Sequence, residues 1–242
     1  MSWPEVKEAL NTVELALIPV GSNEQHGPNI AESSDIALAT AGARNLARRL
    51  FPRAILASSF PFGISYHHVR FPGTITLRPE TFTAVLHDVV SSLKQHGIGK
   101  FFILNGHGGN MASLGVAVWQ IQQGLGVKIA HALHWPSQEM VDKYQRSPQV
   151  GHACEIETSL AMHLAPSIAK TEALAKGEML EPTFTGGMGG GLTGIVEPQY
   201  FDQVTANGAV GDATYASAEA GEAMAQEIED RLTAFLEDFL KD

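Results

Sequence analysis

The sequence has one cysteine, Cys154, in 242 residues. That excludes an intrachain disulfide framework and a sulfur-rich zinc site of the finger type. Any metal the chain holds must be bound through histidines and carboxylates. Long apolar runs are also missing: nothing approaches the roughly 18 to 20 uninterrupted apolar residues that cross a bilayer, so no membrane partner is expected. The N-terminal stretch MSWPEVKEAL lacks the basic and apolar regions of a signal peptide, and the expected location is cytoplasmic. Basic residues are few. Lys and Arg total 16 against 26 Asp and Glu, for a formal charge of -10, and no basic cluster exceeds Arg48-Arg49. Nucleic acid, whose binding requires phosphate neutralisation, is therefore not an expected partner.

What remains is a chain with 44% apolar residues, enough for one large core and too short for two ordinary α/β domains. Residues 1–242 read as a single domain. Short apolar runs at Leu15–Val20, Ala54–Ser58, Phe101–Leu104 and Val127–Leu133 predict buried strands. Helix-like patterns at Ile36–Leu50, Pro79–His96, Met111–Gln123 and Ala213–Leu240 lie between and after them, with Pro79 suited to a first helical turn. Strands alternating with helices predict an α/β fold: a three-layer α/β/α domain with a mostly parallel sheet covered on both faces. In such sheets ligands gather beyond the carboxyl ends of the strands, which places the residues after Val20 and Leu104 where chemistry is usual. Trp119, among Val116, Val118 and Ile121, is expected in the core. The glycine run Gly186–Gly191 reads as a loop, either a plain connection or a cover over substrate.

Three segments carry potential chemistry. The first is Gly21-Ser22-Asn23-Glu24-Gln25-His26-Gly27-Pro28, with Asp35 nine residues beyond His26. Glu24 and His26 are one residue apart, so in extended chain both side chains leave the same face. Asp35 opens a helix and could be a plain N-cap; together with Glu24 and His26 it could instead bridge two divalent ions. The second segment is Asn105-Gly106-His107-Gly108-Gly109-Asn110, where glycines give the backbone room to approach an ion or, equally, to pack strand against helix. The third is Gly151-His152-Ala153-Cys154-Glu155-Ile156-Glu157. On helical spacing Glu155 and Glu157 point differently, so one is expected to face the site while the other caps the helix or orients a ligand. His134-Trp135 follows a strand, and Trp135 is a candidate pocket wall.

These segments resemble the creatininase family of creatinine amidohydrolases. The resemblance includes Phe71-Pro72-Gly73-Thr74, similar to a substrate-side segment of the family, and Gly208–Asp212, similar to its late glycine-rich segment. It spans most of the chain, with the segments in family order at compatible spacing. It implies a creatininase-like fold, a ring-like hexamer as the homo-oligomer, and two divalent ions per chain, Zn, Mn or Fe. Residue by residue it implies Glu24 and His107 on one ion, His26 on the other and Asp35 on both, with Glu157 the first candidate for a fifth ligand and Glu155 the second. It raises His68, Gly73 and Thr74 as substrate-binding residues. Creatinine hydrolases of the family carry a glutamate where this chain has Gly109, a histidine where it has Asn29 and a glutamate where it has His67, which counts against creatinine as the substrate. The activity implied is hydrolysis of a C–N amide bond in a small molecule (a cyclic amide, a formamide or a specialised peptide). Two divalent cations can lower the pKa of a shared water and polarise the substrate carbonyl, with His152, grouped with Glu155 as catalytic, carrying the proton. Metal chemistry does not dictate reaction type, so a lyase or isomerase on the same scaffold and a noncatalytic metal-binding protein are the alternatives.

Overall fold

A computed structural model describes residues 1–181 and 198–241. Gly186–Gly191 lie outside the described residues. After a short N-terminal helix α1 (Trp3–Ala9), the order is β1 (Leu15–Val20), α2 (Ser34–Arg49), β2 (Ala54–Leu56), α3 (Pro79–Gln95), β3 (Lys100–Asn105), α4 (Met111–Leu125) and β4 (Lys128–Leu133). Then come α5 (Gln138–Tyr144), α6 (Glu155–Leu164) and α7 (Ala218–Phe239). The strands form one sheet in the order β2-β1-β3-β4, and every pairing is parallel.

Alternation along the two central strands builds the layers. Leu15 and Leu17 of β1 face one side with Phe102 and Leu104 of β3, where α2, α6 and α7 supply Leu46, Leu160, Met224 and Ile228. Ala16, Ile18 and Val20 face the other with Phe101 and Ile103, covered by Phe82 and Leu86 of α3 and by Leu114 and Ile121 of α4. Both faces are apolar, so the strands read as continuous hydrophobic runs, as parallel strands between helix layers must. Among the described residues no helix is long and apolar enough to cross a membrane.

Three elements differ from the sequence reading. β2 ends at Leu56 because Ala57 and Phe60 meet β1 through single backbone bonds, Ala57 N–H to Leu17 and Phe60 N–H to Pro19, and not through a continuous ladder. The last helix begins at Ala218: a 3-10 turn over Ala213–Tyr215 precedes it, and the Ser217 hydroxyl caps it by accepting from Ala220 N–H. Trp119 is 64% exposed and not in the core, because α4 buries the face carrying Leu114, Ala117 and Ile121 and leaves Val116 and Trp119 on the other.

His134, just beyond β4, is buried against the space beside Gly42, with neither ring nitrogen hydrogen-bonded. Burial, and the nearby Arg231 charge, push its pKa down to about 4 from an ordinary 6.5. The ring is neutral in the fold, so between those values the unfolded chain binds the proton more strongly, and stability is lost as pH falls from 6.5 toward 4. The full gap corresponds to roughly 3 kcal/mol. Urea denaturation of His134→Leu against wild type is expected to show a shallower loss of stability on acidification in the variant; parallel pH profiles would contradict it.

Candidate metal centre

Register brings the two chemical loops together. Val20 at the end of β1 pairs with Asn105 at the end of β3, so the segments beginning at Gly21 and Gly106 leave the sheet side by side. Both positions admit no side chain: a Cβ on Gly21 would strike the Ile36 backbone, and one on Gly106 would strike the carbonyl of Asp35. The first turn of α2 therefore seats directly on the strand ends and delivers Asp35 between the two loops. The third loop is the one that leads into α6. His152 pairs with Val210 by backbone hydrogen bonds, and Ala153 takes a left-handed conformation with φ of 50°. In that conformation its N–H donates to Glu157 Oε2 at 2.6 Å, while its carbonyl accepts from Asn29 Nδ2. Asn29 also exchanges bonds with the backbone of Ala175 and so ties two segments under the site.

Five buried side chains converge. Glu24 Oε1 lies 3.1 Å from His107 Nδ1, and His107 Nδ1 lies 3.3 Å from Asp35 Oδ2. The other Asp35 oxygen, Oδ1, lies 3.2 Å from His26 Nε2, which is 3.6 Å from Glu157 Oε1. Each histidine is turned by a backbone carbonyl: His26 Nδ1–H donates to the Glu24 carbonyl and His107 Nε2–H to that of Ile64. The free nitrogen of each therefore points inward, as metal-binding imidazoles are oriented by the bond on their other nitrogen. Glu24 and Glu157 each have one oxygen tied, to Ser65 Oγ and to Ala153 N–H, and one directed into the cluster. Among the described residues His26 Nε2 and Asp35 Oδ2 have no hydrogen-bond partner, although both are buried. Three carboxylates and two imidazoles with inward lone pairs are a mixed N/O donor set suited to divalent cations.

The electrostatics carry the same signature. Burial works against charging His26, but Glu157 and Asp35 outweigh it and raise its pKa well above 6.5; Glu24 and Asp35 do the same for buried His107. Burial likewise opposes ionisation of Asp35, yet His26 and His107 hold its pKa well below the ordinary carboxylate value. In metal-free protein both rings keep their protons at neutral pH. Their pairing stabilises the fold fully below pH 6.5 and is lost as pH rises through the raised values. Cations compete with those protons, so affinity should fall on acidification, and loading near pH 7 should release roughly two protons per chain. Titration calorimetry in buffers of different ionisation enthalpy measures the release; a value near zero would remove His26 and His107 as ligands.

A cavity of about 470 Å³ opens onto the cluster, lined by Glu24, Asp35, His107 and Glu157, with His67, His68, Trp135, His152 and Phe201 among its walls. Of the residues expected at the site, Glu24, His26, Asp35, His107, Glu157, His152, His68 and Trp135 are thus brought together. Glu155, Gly73 and Thr74 are not. Glu155 Oε1 accepts from the backbone of Arg146 and Ser147 and from the Ser147 hydroxyl, and Oε2 accepts from Asp212 N–H, so its carboxylate clamps two loops onto the start of α6. Gly73 and Thr74 brace the first loop from outside: the Gly73 carbonyl accepts from Asn23 Nδ2 and the Thr74 hydroxyl from Gln25 N–H. Sequence reasoning assigned no role to His67, Gln199 or Phe201, which line the cavity. His67 stacks parallel on His107, with ring centroids 5.5 Å apart, and burial lowers its pKa to about 4. The departure from creatinine hydrolases at His67 was the available signal; Phe201 carried none.

The family model for creatininase, described as creatinine amidohydrolase, matches residues 1–236. The chain belongs to the creatininase family. Among its relatives, the 3-dehydro-scyllo-inosose hydrolase of Thermotoga maritima is 31% identical over 181 residues, 71% of this chain and 57% of that protein, little more than half its length. The mycofactocin precursor peptide peptidase of Mycobacterium tuberculosis is 32% identical over 220 residues, 85% of this chain and 77% of that one. A solved creatininase mutant of Zn–Zn type has the same fold, with a TM-score of 0.82 at 23% identity over 99% of this chain and 96% of that one. The creatininase fold and the expected α/β/α layering are therefore those of this chain, and its relatives are hydrolases.

Proposed function

We propose that this member of the family is a metal-dependent amidohydrolase that cleaves a C–N bond in a small amide with two divalent ions. The observation that carries the reading is Asp35, whose two carboxylate oxygens face different histidines, Oδ1 toward His26 and Oδ2 toward His107. Glu24, His107 and Asp35 would hold one ion, and His26, Asp35 and Glu157 the other. The Zn–Zn form of the creatininase neighbour supports two ions in such a fold. When bound, the ions supply Lewis acidity that lowers the pKa of water and polarises a carbonyl.

The chain's own residues do the rest. His152 donates Nε2–H to the Gln25 carbonyl at 2.6 Å, which leaves Nδ1 on the cavity side, 3.9 Å from Glu24 Oε1, as a base able to accept a proton and pass it to a leaving nitrogen. Burial, and the charge of His26 nearby, lower its pKa, which keeps that nitrogen free at neutral pH. Trp135, Phe201 and His67 offer flat surfaces to a planar group. Among the described residues no Lys or Arg lines the cavity, and residues 182–197 contain none in the sequence. That favours an uncharged amide over a substrate needing a fixed cation. Relatives are named for a peptide and for an inosose, so membership of the family does not by itself fix the substrate.

The test is release of ammonia, formate or amine from a panel of cyclic amides, formamides and short peptides with protein loaded with Zn²⁺, Mn²⁺ or Fe²⁺. Full loading at two ions per chain with no C–N cleavage across the panel would overturn the hydrolase reading. The reading includes a homo-oligomer, hexameric by family resemblance; a light-scattering mass near the 25.9 kDa monomer would contradict it.

A further inference from the structure

Gln25 stands between two metal-site residues and points away from the carboxylates, yet its side chain is buried. Its bonds leave no freedom in the placement of its amide. Oε1 accepts from the backbone N–H of Gly27 at 2.8 Å, and Nε2 donates to the backbone carbonyl of Gly208 at 2.9 Å. One partner can only donate and the other can only accept, so the amide cannot be flipped. The second Nε2 hydrogen points at His68 Nδ1, 2.8 Å away. His68 Nδ1 must therefore accept, and the ring's hydrogen must sit on Nε2, which faces Glu24 Oε1 at 3.4 Å.

The same residue fixes the neighbouring ring in the opposite sense. The backbone carbonyl of Gln25 takes the Nε2 hydrogen of His152, which leaves His152 Nδ1 bare toward the cavity. The two rings lie 4.4 Å apart between centroids, and Phe201 packs on both, at 3.9 Å from His68 and 5.0 Å from His152. A wall that would otherwise be two interchangeable imidazoles becomes one N–H donor beside one acceptor. We infer that Gln25 is a positioning residue: its side-chain amide locks the His68 hydrogen on Nε2, toward Glu24, and its backbone carbonyl locks His152 with Nδ1 bare toward the cavity.

The locking is a property of the protein without substrate and does not rest on the amidohydrolase reading. Its test is therefore spectroscopic. Protein labelled with ¹⁵N at histidine and loaded with Zn²⁺ is read by long-range ¹H–¹⁵N correlation, which distinguishes Nδ1–H, Nε2–H and doubly protonated rings. His68 and His152 are expected each to show a single Nε2–H form, unchanged across the neutral range. Gln25→Glu replaces the donor to His68 by an acceptor, so His68 should gain a hydrogen on Nδ1, as a doubly protonated ring where Nε2–H stays against Glu24, while His152, held by the backbone, keeps Nε2–H. If Gln25→Glu does not fold against the Gly208 carbonyl, Gln25→Met removes the amide without adding charge, and His68 should then show a mixture of the two neutral forms. A wild-type His68 carrying its hydrogen on Nδ1, or a His68 spectrum indifferent to Gln25→Met, would overturn the proposal even if amide hydrolysis is found. Failure of the amide panel with the expected spectra would instead remove the hydrolase reading and leave the locked pair standing.

Discussion

Asp35→Asn is expected to lose nearly all turnover and to bind divalent ions far more weakly. The alternative role for Asp35 is a helix cap, and the geometry separates the two. Asp35 sits in the first turn of α2, but no backbone N–H donates to either of its oxygens; they face His26 and His107. Asparagine keeps the shape and the helix-terminal preference. It carries no charge to place between two dications, and its amide nitrogen cannot act as a ligand. Because the carboxylate would contribute to both ions at once, the loss of affinity should exceed the roughly 10- to 100-fold typical of changes outside the ligand set. Removing one partner of the buried pairs of Asp35 with His26 and His107 costs stability in its own right, so the metal-free variant is expected to melt below wild type, and the effect on the centre is read from metal binding. Saturating metal should raise the wild-type melting temperature and leave that of Asp35→Asn nearly unmoved. Two ions per chain with near-normal activity in the variant would return Asp35 to a local role in α2 and leave the proposed centre without its bridge.

The grouping of Glu24, His26 and His107 was legible in the sequence because these residues lie on chain segments whose geometry is local. Glu24 and His26 follow β1, His107 follows β3, and parallel strands of a covered sheet end together, so proximity follows from the strand assignment alone. The α6 carboxylates were harder. Spacing says that Glu155 and Glu157 diverge but not which turns inward; that is decided by the left-handed Ala153, whose N–H holds Glu157, and by Ser147 and Asp212, which hold Glu155. Those partners are distant in sequence or depend on one unusual φ angle, and no periodicity reports them. Gly73 and Thr74 show the limit of a shared motif. A shared motif placed them beside substrate, whereas in this chain they bond to Asn23 and Gln25 and shape the loop that carries Glu24. The departures from creatinine hydrolases also acquire physical content: Asn29 spends its amide on the backbone of Ala153 and Ala175, a structural task that its position after Gly27-Pro28 did not disclose.

Gly109 is the sharpest of those departures, and it supports the second large prediction. A Cβ built at Gly109 would collide with His107 Nε2, sit 2.5 Å from the Ile64 carbonyl oxygen and lie 2.8 Å from His67 Cε1. The His107 nitrogen and the Ile64 oxygen are the two ends of the hydrogen bond that aims His107 Nδ1 at Glu24 and Asp35. Gly109→Ala should therefore break that bond or push the 64–68 segment outward, and either movement turns His107 away from its carboxylates. Overpacking of this kind costs roughly 1 to 3 kcal/mol in stability, with metal affinity falling further because one imidazole no longer points inward. Gly108→Ala is the matched control. One residue earlier, a Cβ meets nothing within 4 Å, so stability should change by no more than about 0.5 kcal/mol and metal loading should match wild type. Gly109→Glu begins with the same Cβ and should lose metal in the same way. Metal content after dialysis, measured beside thermal melts for the variants, decides the matter. Equal loading of Gly109→Ala and Gly108→Ala would show that His67 and Ile64 yield freely and that the aim of His107 does not depend on the missing side chain.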